Sequence, residues 1–232
     1  MNQEAFTQKI GIQFRDKNLL KQAFIHRSYL NENPDETLDH NERLEYLGDA
    51  VLELVVSEYL FRKFPEKKEG ELTAIRAALV NTHSLSNAAG ILGMDEYLFL
   101  SKGETKSEGR SRQYILANTF EAFVGALFLD QGIEAVKDFV ARHLLTHLDV
   151  ILKNNLWHDA KSSFQERAQE VTGITPTYRV LEERGPDHNK IFSVGVFLES
   201  ECVATGEGYS KQEAEQDAAH RALRAKHWTE EK

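Results

Sequence analysis

A chain of 232 residues, 41% hydrophobic and 28% charged, has the composition of a globular protein with one large core or two ordinary ones, not of a disordered or fibrous chain. Its longest apolar run, AFVGALFL from Ala122 to Leu129, is far short of the roughly 18 to 20 residues that span a bilayer, and MNQEAFTQKI lacks the basic start and apolar stretch of a secretion signal, so a cytoplasmic protein without membrane contact is expected. A net charge of −9 argues at first against nucleic acid as a partner, because phosphate binding rests on Lys and Arg; yet total charge does not say where charges sit, and a carboxylate site filled by cations is itself acidic.

From the N-terminus to about residue 150 each segment carries the apolar spacing of a helix. In order these are FTQKIGIQF, NLLKQAFIHRSYL, NERLEYLGDAVLELVVSEYLFRKF, GELTAIRAALVNTHSLSNAAGIL, RSRQYILANTFEAFVGALFLD and IEAVKDFVARHLLTHLDVIL. NENPDET, FPEKKEG and SKGETKSEG supply the turn residues between them. An all-α domain over 1–150 is expected, followed by a polar linker over 151–158.

Beyond the linker the pattern changes. SSFQERAQEVTG reads as a short helix with Phe164, Ala168 and Val171 on one side and Gly173 at its end. TYRVLEER, KIFSVGVFLES and CVATGEGY read as strands, the second alternating Phe192, Val194, Val196 and Leu198. A last helix from near Ser210 buries Ala214, Ala218, Ala222 and Leu223. The order α-β-β-β-α over 159–228 predicts a small α+β domain with its helices on one face of an antiparallel sheet. The lone Cys202 has no partner for a disulfide or a thiolate metal site and reads as a small packed residue.

In NERLEYLGDAVLELV, Leu44, Leu47, Val51, Leu52, Leu54 and Val55 should face a core, yet Glu42, Glu45 and Asp49 sit among them at steps of three and four. A single acid on such a helix is ordinarily a solvated surface residue. Three on one face repel one another unless a cation sits among them, and Mg²⁺, which takes oxygen ligands and retains waters, is the simplest resident. A second helix supplies a matching half, since Asn118 and Glu121 share a face of the otherwise apolar ILANTFEAFVGALFLD. Facing helices carrying such groups are a recurring way to build a metal site.

These residues carry a family resemblance. NERLEYLGDAVLEL is very similar to the signature of the bacterial ribonuclease III family, and FIHRSY, KKEGELTAIRAALV, LSKGE and ILANTFEAFVGALFLD match its other blocks in order. GPDHNKIF and GEGYSKQEAEQDAA resemble the two most recognisable blocks of the double-stranded RNA-binding domain that follows the nuclease domain in that family.

The resemblance implies a Mg²⁺-dependent endonuclease, with Mn²⁺ as a substitute, that acts on double-stranded RNA as a homodimer and needs no small-molecule cofactor. Its products would carry 5′-phosphates, 3′-hydroxyls and short 3′ overhangs, and its substrates would be rRNA and mRNA precursors. Glu45, Asp49, Asn118 and Glu121 match the metal-binding quartet, with Asp49 and Glu121 as the catalytic pair. Glu42 and Glu69 match two further acids, for RNA placement or a second metal. The family usually has Asp where this chain has Asn118, so a site that asks for more Mg²⁺, or prefers Mn²⁺, is expected.

The tail domain has 9 Lys and Arg against 12 Asp and Glu from Trp157 to His227, so RNA binding must depend on placement, as suits shape recognition of the A-form duplex. The resemblance assigns it to Gln165, Glu166, His188, Lys190 and Lys211. Asn118, together with Gln212 in place of a second lysine after Lys211, motivates a rival: a weakened dimer that binds structured RNA without efficient cleavage.

Overall fold

The apolar spacing of the first segments folds as helices, but with more breaks than the spacing announces. The structure, a computed structural model, describes residues 3–106, 108–153, 160–185 and 190–228. It divides into one unit over Met1–Trp157 and another over His158–Lys232. The first holds α1 (Gln3–Ile10), α2 (Lys17–Ala23), α3 (Arg27–Glu32), α4 (Glu42–Lys63), α5 (Glu69–Val80), α6 (Thr82–Leu92), α7 (Gly109–Gln131), α8 (Ile133–His143) and α9 (Leu148–Lys153).

NLLKQAFIHRSYL is two helices because Phe24 to His26 leave the helical path. Phe99 N–H donates to Phe24 (2.9 Å) and His26 N–H to Phe99 (3.1 Å), so the fully buried Phe24 and Ile25 are stitched into the core by strand-like bonds. His26 then caps α3 by accepting the Ser28 N–H on Nδ1. GELTAIRAALVNTHSLSNAAGIL breaks at Asn81, whose extended backbone ends α5 while its side chain accepts the Ser84 N–H (2.9 Å) and caps α6.

Phe6, Phe24, Phe120, Phe123 and Phe139 are fully buried at the centre, with Phe6 meeting Phe24 and Phe123 edge-on at 5.4 Å. α4 does not bury all the residues its spacing nominates: Leu54 is 61% exposed. With Tyr46 (82%) and Phe61 (71%) it forms an outward apolar stripe, so Tyr46 is not a core aromatic of its own chain.

The second unit has α10 (Ala160–Thr172), β1 (Thr177–Arg184), β2 (Ile191–Leu198), β3 (Glu201–Gly208) and α11 (Lys211–Ala225), with antiparallel strands in the order β1-β2-β3. Phe164, Ala168, Val196, Leu198, Ala218, Ala219, Ala222 and Leu223 form its core. The alanine face of α11 lies directly on the sheet, since a Cβ on Gly206 would overlap the Ala218 nitrogen and sit 2.6 Å from the Ala214 carbonyl oxygen. Two expectations fail here. Val171 is 58% exposed because the core already closes on Phe164 and Ala168, one turn earlier. Cys202 is exposed near the start of β3, not packed.

Candidate active site

The acids of α4 meet those of α7 because two glycines let the helices cross at backbone contact. A Cβ on Gly48 would overlap the Glu121 carbonyl oxygen and lie 2.9 Å from the Gly125 nitrogen. A Cβ on Gly125 would overlap the Leu44 carbonyl oxygen and lie 3.0 Å from the Gly48 nitrogen. Glycine costs about 1 kcal/mol in a helix interior relative to alanine, and here that cost removes the side-chain layer between the helices. Asn41 sets where α4 starts: it is 3% exposed, its amide donates to the Ala23 carbonyl (3.1 Å) and its N–H to Ile25 (2.9 Å).

Across this crossing Glu45 and Asp49, one turn apart on α4, face Asn118 and Glu121 on α7. The Glu121 carboxyl is pushed up to about 8, first by burial and then by the Asp49 and Glu45 charges. Glu45 is also raised, by burial, Glu42 and Asp49, against the opposing effect of the Asn118 side chain, whose amide hydrogen-bonds to it. Glu45, Asp49 and Glu121 are therefore coupled by charge, with Glu42 adding to the charge at Glu45 and Asn118 hydrogen-bonded to it. Among the described residues no three His, Cys, Asp or Glu side chains are drawn together into a metal-holding cluster. The donor chemistry nonetheless suits a hard divalent cation: three carboxylates and one amide, all oxygen donors, with a charge surplus that a cation would relieve.

Glu42 acts on Glu45 from the edge of this group, and Glu69 stands apart from it. Glu42 lies at the edge, its carboxylate 3.6 Å from the Arg27 guanidinium and 3.8 Å from His40 Nδ1. Glu69 is on the first turn of α5, where its carboxylate accepts the Thr73 hydroxyl (3.1 Å), and no described contact joins it to the other acids.

In the second unit Gln165 and Glu166 are adjacent and exposed on α10. Lys190 and Lys211 come together, at 3.2 and 3.8 Å from the Glu183 carboxylate, with Lys211 also over the Phe192 ring at 5.7 Å. Lys211 is the first residue of α11, behind the Ser210 cap whose hydroxyl accepts the Glu213 N–H (3.1 Å). His188 lies outside the described residues, as do residues 154–158 of the expected linker.

Sequence reasoning missed Asn41, Gly48 and Gly125. The glycines carried a signal, being isolated inside strongly apolar helical patterns, where a close backbone approach is a standard cause.

Residues 16–148 match the family model described as ribonuclease-III-like, and residues 160–226 that of the double-stranded RNA binding motif. A ribonuclease 3 of Nitratiruptor sp. is 44% identical over 221 residues, covering 95% of each chain. One from Geobacillus kaustophilus is 49% identical over 215 residues, covering 93% of this chain and 87% of the relative. The nuclease domain of ribonuclease III from Campylobacter jejuni, in which a region involved in dimer formation is flexible, aligns at a TM-score of 0.57 and 40% identity, covering 62% of this chain and 97% of that one. A helical nuclease unit with coupled acids at a helix crossing, followed by a double-stranded RNA-binding unit, defines a two-domain endoribonuclease. The chain belongs to the ribonuclease III family, enzymes that cut double-stranded RNA. No described helix is long and apolar enough to cross a membrane.

Proposed function

We propose that the chain is a Mg²⁺-dependent endonuclease whose metal is held by Glu45, Asp49, Asn118 and Glu121, with Mn²⁺ able to replace it. The observation that carries this reading is the close crossing of α4 and α7 at Gly48 and Gly125, which sets Glu121 against Glu45 and Asp49 and pushes its carboxyl up to about 8. An arriving positive charge favours ionisation of a group so placed, which couples its ionisation to binding of a cation. Mg²⁺ bound there supplies an activated water and offsets the charge that develops on the leaving oxygen. Asp49 and Glu121 are the indispensable pair; Glu45, steadied by the Asn118 amide, helps to hold the ion. Glu42 and Glu69 assist RNA placement or a second metal.

Gln165, Glu166 and His188 contact successive minor grooves of the duplex, while Lys190 and Lys211 meet phosphates. The outward stripe of Tyr46, Leu54 and Phe61 supports a homodimer through α4, giving two sites that each cut one strand. The products carry 5′-phosphates, 3′-hydroxyls and short 3′ overhangs, and the substrates are rRNA and mRNA precursors. The test is incubation of the full chain with a long, perfect RNA duplex and Mg²⁺. Short duplexes with those ends are the expected outcome; a stable complex without products would favour the weakened binder.

A further inference from the structure

The coupled acids pose a difficulty for an enzyme of RNA: they repel the backbone that must approach them. Among the described residues neither Glu45, Asp49 nor Glu121 has a Lys or Arg ion pair, whereas Glu42 is paired with Arg27 at 3.6 Å. Arg27 stands at the start of α3 and borders an open cleft that reaches Asn118, with His26, Ser28, Asn31 and Tyr114 also lining it. Tyr114 and Asn118 are one turn apart on α7, so this wall of the cleft runs straight on to the acids.

The lining is rich in hydrogen-bond donors. The Ser28 oxygen accepts the Ser101 N–H (3.1 Å) and lies 2.8 Å from His26 Nδ1, which also accepts the Ser28 N–H (3.3 Å). With Nδ1 acting as acceptor, the proton of the neutral ring is on Nε2, and His26 is a donor through that atom. Burial holds His26 below its ordinary value, in keeping with the neutral ring. Arg27, Asn31 and Tyr114 add further donors, and among the described residues Glu104 is the one acid on the lining. An acceptor-only anion is the ligand such a surface suits, and a phosphodiester is one.

Arg27 is the group able to bind it. Its side chain is 72% exposed, and Glu42, itself half-exposed, leaves most of the guanidinium edge open. A guanidinium has five donors in a planar fork, so it can keep a carboxylate on one edge and take a phosphate on the other. Resting on the endonuclease reading above, we propose that Arg27 binds a phosphodiester of the RNA strand entering the carboxylate site, and that Glu42 is a positioning residue acting through Arg27.

The test is steady-state cleavage of a short RNA duplex by the full chain at several salt concentrations. Arg27→Gln is expected to raise KM about fivefold with kcat changed less than twofold, which is the pattern of a lost binding contact. The dependence of log kcat/KM on log salt should flatten by about one phosphate contact. Arg27→Lys should keep the salt slope and recover at least half of the KM change. Glu42→Gln should raise KM about twofold and add nothing in the Arg27→Gln background, as expected of two residues acting through one contact.

An unchanged KM and slope in Arg27→Gln would overturn the proposal. So would a loss confined to kcat, or a Glu42→Gln effect that is additive and accompanied by a higher Mg²⁺ requirement. If the unsubstituted chain fails to cut the duplex, the endonuclease reading fails instead. Arg27 is then judged by gel-shift binding of the same duplex, where equal affinity and equal salt slope in Arg27→Gln refute it.

Discussion

Replacing Glu121 with glutamine isolates the energetic cost of assembling the acids. In the folded chain burial and the neighbouring acids push this carboxyl up to about 8, against an ordinary value of 4.5. The folded state therefore keeps a proton that the unfolded state has released. The resulting stability is fully present below pH 4.5 and is lost as pH rises through about 8. At 1.36 kcal/mol per pH unit the separation corresponds to at most about 5 kcal/mol, and solvent screening at a partly open site brings the expected effect to about 3 kcal/mol. Glutamine matches the neutral carboxyl in shape at every pH, so the Glu121→Gln chain should lack this loss. Urea unfolding of metal-free protein, followed by the helical circular dichroism signal, should give equal stabilities near pH 4.5. Near pH 9 the variant should be the more stable by about 3 kcal/mol. Mg²⁺ at pH 8 should stabilise the unsubstituted chain more than the variant. Parallel stability curves across this range would refute the argument that burial and neighbouring acids hold Glu121 protonated.

Gly48→Ala puts a Cβ into the Glu121 backbone, so α4 and α7 must separate; a loss of at least about 3 kcal/mol is expected from overpacking against main chain, and an unchanged thermal midpoint would show that the crossing yields. Asn118→Asp replaces a neutral oxygen donor with a charged one and removes the hydrogen bond to Glu45. Half-maximal cleavage should then need several-fold less Mg²⁺, and superimposable Mg²⁺ curves would sink the idea. Lys211→Ala should weaken binding to all RNA duplexes alike and reduce the salt slope by about one phosphate, checked by titration at several ionic strengths. Tyr46→Glu places a charge on the exposed stripe of α4 and should shift the particle mass toward that of one chain in light scattering, whereas an unaltered dimer mass would place the interface elsewhere.

Local pattern was a good guide wherever one face of an element meets one core. The β2 alternation ending in Val194, Val196 and Leu198 and the α11 stripe of Ala214, Ala218, Ala222 and Leu223 are buried as their spacing requires. Where a segment must satisfy two neighbours, the pattern misled. Phe24 and Ile25 fit a helical period, but reach the core only by leaving it, with Phe99 supplying the backbone bonds. Leu54 fits the apolar face of α4 by period and nonetheless points outward, beside the exposed Tyr46 and Phe61.

The site follows the same division. Helical spacing was enough to group Glu45 with Asp49 and Asn118 with Glu121, because residues three and four apart share a face whatever the tertiary fold. That the two faces meet depends on a contact between segments about 70 residues apart, and the residues that permit it are the ones with no side chain at all. Spacing also groups Glu42 with Glu45 and Asp49, and its charge does act on Glu45. It lies at the first turn of that helix, however, where Arg27 of α3 stands 3.6 Å from its carboxylate and offsets part of that charge. A period can say which acids share a helix face; only the neighbouring element decides which remain unpaired, and it is the unpaired ones that have charge to offer a cation.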